Sequence, residues 1–138
     1  MTLPQISNIK SQNYKANPQN DLKYRAAQFS LAIIKTCVNL SKDDAAKIIK
    51  NQLIRCATSI GANIVEAKSS SSRKDFIKFY EIALKSANET KYWLYLLQEG
   101  KFLSSTIIQP LQTEVDELSK ILAASIITLK GKRYQVLR

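Results

Sequence analysis

The chain has 138 residues, enough for one domain and a single core, and carries 21 Lys and Arg against 11 Asp and Glu, a formal net charge of +10. It has no histidine and two cysteines, Cys37 and Cys56, with no CxxC pair, which removes His-based catalysis and most zinc chemistry. The basic balance favours a polyanionic partner, although solvated lysine-rich helix faces produce the same excess.

Residues 1–19 hold Pro4 and Pro18 with several Asn, Gln and Ser and little periodicity, and are expected to be an N-terminal arm. The arm carries Ile6, Ile9 and Tyr14, which could dock on a neighbouring subunit. It has no apolar core of a signal peptide, and no stretch of the chain approaches the roughly 20 apolar residues of a membrane span. A cytoplasmic protein without a membrane role is expected, its two thiols buried and reduced.

From Asp21 the pattern becomes helical. Leu22, Ala26, Phe29, Ile33, Cys37 and Leu40 recur at steps of four and three, which predicts a first helix over about 20–40. Ser41 and Asp44 then resemble a capping box, with Asp in place of the usual Glu. A second helix carries Ile49, Leu53, Cys56, Ile60, Ile64 and Ala67 and ends near KSSSSR. Ser72 is a candidate cap for a third helix, with Asp75 favourably placed against the helix dipole. Its stripe is Phe76, Tyr80, Ala83, Ala87, Thr90, Leu94 and Leu97, and Gly100 is its expected stop. The fourth repeats Ile108, Leu111, Val115, Leu118, Leu122, Ser125 and Leu129, with Pro110 expected to disturb its first turn and Gly131 to close it.

Short connections between such helices predict an all-α, antiparallel, up-and-down four-helix bundle over 20–131, followed by a basic tail at 132–138. The third helix also bears Ile77, Ile82, Leu84, Trp93, Tyr95 and Leu96 away from its main seam, and the fourth bears Ile107, Ile121 and Ile127. Apolar side chains on more than one face predict either wide stripes or association of bundles side by side; an exposed aromatic patch favours the second.

Arg55, Ser59, Asn63 and Glu66 form a polar line along the second helix. As structure, they make a register-fixing network with the third helix, through Tyr80, Ser86 or Lys85. A buried Glu66 then needs a Lys or Arg partner, or backbone amides near Ser69 to Ser72. As a binding face, the same line adjoins Lys68, Arg73, Lys74 and Lys78, which suit phosphate contacts, as do Lys130, Lys132 and Arg133, with Tyr134 beside them.

The segment QLIRCATSIGANIVEA, followed by SSSRKDFIKFYEIALKSANETKYWL, resembles the bacterial proteins encoded by 23S ribosomal RNA intervening sequences. Gln52, Leu53, Arg55, Ser59, Ile60, Asn63, Ile64, Glu66, Asp75, Phe76, Phe79, Ile82, Ala83, Ser86 and Glu89 match that family's pattern in order. Cys56 replaces a usual Ala and Ala67 the Gly after the glutamate, while Ala87 and Asn88 alter the spelling before Glu89. The resemblance spans about 21–130 and implies an antiparallel four-helix bundle and a homopentamer. It also implies a fold similar to the accessory variability proteins of diversity-generating retroelements, which bind a reverse transcriptase and nucleic acid. It implies no catalytic residue, cofactor or metal.

Three functions follow as expectations. A basic oligomeric scaffold binding RNA or DNA fits the charge and the resemblance. A protein-interaction module, with a reverse transcriptase or another acidic protein as partner, fits the second apolar stripe. An enzyme would have to rely on Glu66, Glu81, Tyr80 or a lysine, and no spacing assembles these into an acid–base pair; no enzymatic activity is expected.

Overall fold

A computed structural model describes residues 18–40 and 42–137, with side chains over 22–40 and 42–131. These residues form four helices and no strand: α1 (Pro18–Val38), α2 (Asp44–Lys68), α3 (Arg73–Glu99) and α4 (Ser105–Leu137). Each helix packs on its neighbours in sequence, and α1 closes the square on α4. Among the described residues the backbones of α1 and α3 do not approach closely, nor do those of α2 and α4, so these pairs stand at opposite corners.

Neighbouring helices run antiparallel. Ser86 of α3 reaches Ser59 of α2, and one turn further along α3 Thr90 reaches Cys56, three residues earlier on α2. Likewise Lys91 meets Ser119 of α4, whereas Glu81, ten residues earlier, meets Lys130. The expected bundle is the observed one.

The expected stripes meet in its core. All six positions of the first expected stripe are buried, Leu40 lying just past the end of α1, as are Leu53, Cys56, Ile60, Ile64 and Ala67 of α2. On α3, Tyr80, Ala83, Ala87, Thr90, Leu94 and Leu97 face inward, with Ile77 added to them and Phe76 half-buried. The α4 seam departs late. Ile126, four residues after Leu122, is buried, whereas Ser125 and Leu129 are half-buried.

Helix ends show where local chemistry competes. Asp43 caps α2, its side chain accepting from Ala45 N at 3.1 Å, so Asp44 is the first helical residue and not the third position of a capping box. Ser41 itself lies outside the described residues. Ser72 caps α3 as expected, accepting from Asp75 N at 3.1 Å. Gly100 follows the last helical residue of α3 but keeps φ −77°, and the left-handed step falls on Lys101 at φ 60°. What Gly100 supplies is room, because a Cβ there would lie 2.7 Å from Phe102 Cε2 and 3.0 Å from Leu96 O. α4 runs through both Pro110 and Gly131, so neither ends it, and the segment expected as a tail continues the helix to Leu137.

Polar staples cross the seams at the bundle's flanks. Arg25 of α1 donates through Nε and Nη2 to Glu114 Oε1 at 3.0 and 2.7 Å and also pairs with Glu117, both on α4. Burial opposes its charge, but these two carboxylates outweigh that and hold the guanidinium above its usual value. Lys91 Nζ donates to Ser119 Oγ at 2.7 Å and lies 3.4 Å from Asp116 Oδ1.

Candidate nucleic-acid interface and the buried polar seam

The polar line on α2 divides in two. Asn63 Nδ2 donates to Ser59 O at 2.8 Å and to Ser59 Oγ at 2.9 Å, and Ser86 Oγ of α3 donates to the same Ser59 Oγ at 3.0 Å. The seam continues inward through Thr90, whose hydroxyl donates to Ser86 O at 2.7 Å and lies 3.2 Å from Cys56 Sγ. The Cys56 thiol is in turn 3.4 Å from Leu53 O. Ser59, Asn63 and Ser86 therefore come together between α2 and α3.

Glu66 and Arg55 do not join them. Both side chains are exposed, and Glu66 forms no ion pair among the described residues, so the expected buried glutamate with a basic partner is absent. Of its suggested partners on α3, Lys85 is exposed, while Tyr80 is buried with its ring 4.6 Å from that of Phe76. Burial pushes the Tyr80 hydroxyl above its usual value. Seven residues are about 20° short of two full helical turns, so Glu66 trails Ser59 away from the core.

The seam also contains two residues that sequence periodicity placed only in apolar stripes, Cys56 and Thr90. Both belong to the core stripe by position; their polar pairing depends on α2 and α3 meeting at this register. Burial pushes both thiols up, that of Cys37 to about 11, so neither is a ready nucleophile.

The basic residues collect around the turn between α2 and α3. Lys68, Ser70, Ser71, Ser72 and Arg73 line a shallow cleft of about 340 Å³ whose apolar side is Ala67, Phe76 and Leu129. Lys74 and Lys78 are exposed on the first two turns of α3. Lys130 is also exposed on α4, but its Nζ lies 2.8 Å from Glu81 Oε1 and so is partly neutralised. The turn therefore places Lys68 and Arg73 together, adds Lys74 and Lys78 along one helix, and sets Lys130 apart in an ion pair. The side chains of Lys132, Arg133 and Tyr134 lie outside the described residues.

No group of three or more Cys, Asp or Glu is disposed to hold a metal ion among the described residues. No helix of the described residues is long and apolar enough to cross a membrane.

The chain matches the model of the 23S rRNA-intervening sequence protein family over residues 19–124. It is also similar to the crystal structure of a protein of unknown function from the S23 ribosomal protein family of Bacteroides thetaiotaomicron. That likeness has a TM-score of 0.74 and 35% sequence identity, covering 78% of this chain and 96% of the other. No curated protein matches. The match takes in the first three helices, the polar seam, the basic turn and α4 as far as residue 124; the chain belongs to the 23S rRNA-intervening sequence protein family.

Proposed function

We propose that this protein is a non-enzymatic, basic, homo-oligomeric scaffold that binds RNA or DNA through the phosphate backbone. The supporting observation is the gathering of Lys68, Arg73, Lys74 and Lys78 around one turn of a chain of net charge +10. Flexible exposed cations on rigid helices supply a sequence-independent attraction to phosphate. The resemblance to retroelement accessory proteins extends this reading to a pentamer that assists a reverse transcriptase in the cytoplasm.

The test is binding of the purified chain to labelled single-stranded RNA, duplex RNA and duplex DNA across a salt series, with its mass measured on the same sample. Each phosphate contact released steepens the fall of log affinity with log salt by about 0.7–0.9. Four working cations thus predict a slope of about −2.8 per chain on single strands and about −3.6 on duplex DNA. Undetectable binding at low salt would leave the charge as solvation.

The competing reading is a protein-interaction module, favoured by the exposed Tyr92, Tyr95 and Ile127. It predicts capture of a protein partner through apolar contacts that tolerate high salt.

A further inference from the structure

Two apolar strips lie on opposite corners of the bundle. On α1, Ala27, Leu31, Ile34 and Val38 follow one another at steps of four, three and four, so they share one face, and all four are exposed, Val38 at 75%. The core stripe of α1 is fully used by Leu22 to Leu40, which makes this strip a second and separate seam. On the C-terminal half of α3, Tyr92 and Tyr95 are 55% and 53% exposed, with Leu96 half-buried beside them.

The flanking charges differ in sign. Exposed Lys23 and Lys35 border the α1 strip, whereas exposed Glu89 and Glu99 border the α3 strip. Glu89 also accepts from Trp93 Nε1 at 3.2 Å, which holds an acid against the aromatic surface. Because α1 and α3 stand at opposite corners and both strips are exposed, neither strip covers the other within one chain.

We infer that the α1 strip of one copy seats on the Tyr92–Tyr95 face of the next, an interface of two unlike surfaces whose partner is a second copy of this chain. The inference rests on the oligomeric part of the proposed function and names the surfaces that carry it. An apolar strip bordered by lysines is poorly suited to pair with itself, while an aromatic strip bordered by glutamates complements it in both respects. Unlike surfaces joined head to tail propagate, closing into a ring when the rotation per copy permits. Lys74 and Lys78, on the N-terminal half of α3, stay outside the contact, so assembly multiplies these two cations without covering them.

The experiment is sedimentation velocity on the full chain at micromolar concentration, with two double variants. Leu31→Glu with Val38→Glu disables one surface, and Tyr92→Lys with Tyr95→Lys disables the other. The wild type is expected to sediment as an oligomer and each variant alone as a monomer of unchanged helicity. An equimolar mixture of the two variants retains one intact pair of surfaces and is expected to form a two-chain species and nothing larger. Glu99→Lys alone, remote from the core, is expected to weaken wild-type assembly and keeps the test informative should a double variant lose helicity. A monomeric wild type overturns both the oligomeric reading and this interface. An oligomeric wild type whose mass survives either double substitution, or a mixture that stays monomeric, overturns the interface alone.

Discussion

Ser86 of α3 donates a hydrogen bond to Ser59 Oγ of α2 at 3.0 Å, the same oxygen that Asn63 Nδ2 approaches at 2.9 Å. One hydroxyl thus joins two helices and a neighbouring turn. Ser86→Ala removes one donor and leaves Asn63 still bonded, whereas Ser59→Ala strands the Ser86 hydroxyl, which is only 8% exposed with its residue. Ser59→Ala should lower unfolding free energy by about 1–2 kcal/mol and Ser86→Ala by less, since an unsatisfied buried group costs more than a lost pair. Urea denaturation of both single variants and the double variant checks this; strictly additive losses would mean that the two hydroxyls do not interact.

Alkaline stability should depend on Cys37. Burial raises its thiol from 9.0 to about 11, with Lys50 opposing slightly, so the folded state holds the proton more tightly than the unfolded chain. A raised folded value gives stability that is complete below pH 9 and lost as pH rises from about 9 to 11. At a pH midway through the upper half of that window the loss is about 2 kcal/mol, by the linkage of about 1.4 kcal/mol per pKa unit. Comparing wild type with Cys37→Ala at neutral and alkaline pH isolates it. The variant is less stable at neutral pH through its cavity, but its further decline should be smaller. Parallel declines would assign the effect to other groups.

The glycines should respond with opposite signs. Gly100→Ala forces a Cβ against Phe102 and Leu96 O and should destabilise by about 1–3 kcal/mol, the usual range for overpacking. Gly61 faces Ala26 Cβ at 3.5 Å, an ordinary contact, and Gly131 has open space. Both lie within helices, so alanine at either should stabilise by about 0.5–1 kcal/mol through helix propensity. Thermal unfolding of the three variants reads all signs at once, and a destabilising Gly61→Ala would indicate that α1 and α2 approach too closely for a methyl.

Among the cations, engagement within the chain should rank their contribution to nucleic-acid binding. Lys74→Ala and Lys78→Ala should each reduce the salt slope by about one contact. Lys130→Ala should change it less, because Glu81 already accompanies that ammonium at 2.8 Å. Glu81→Gln, which releases Lys130, should raise affinity and steepen the slope. Equal effects of all three lysine substitutions would make the charge diffuse rather than local.

The stripes were legible because a helix repeats its faces every three or four residues, and positions such as Leu22, Ile60, Leu94 and Leu118 needed only that period to be placed inward. The α2–α3 polar seam was half legible. Ser59 and Asn63 stood out as polar beside apolar positions, but Thr90 and Cys56 looked like ordinary members of a stripe. The outward strip of α1 was missed, although Ala27, Leu31, Ile34 and Val38 repeat at the same steps as the core stripe one face away. A second such seam on one helix is the signal that would have found it.

Local sequence determined the four helices, their order, the Ser72 cap and the inward faces, since these depend on interactions within a few residues. Only the tertiary structure decided that Ser86 meets Ser59, that Glu66 stays outside, that Lys130 spends its charge on Glu81, and that the α1 and α3 strips point away from each other. Those outcomes depend on the register and corner at which distant helices meet. Small angular offsets along a helix then separate a side chain that finds a partner from one that faces water.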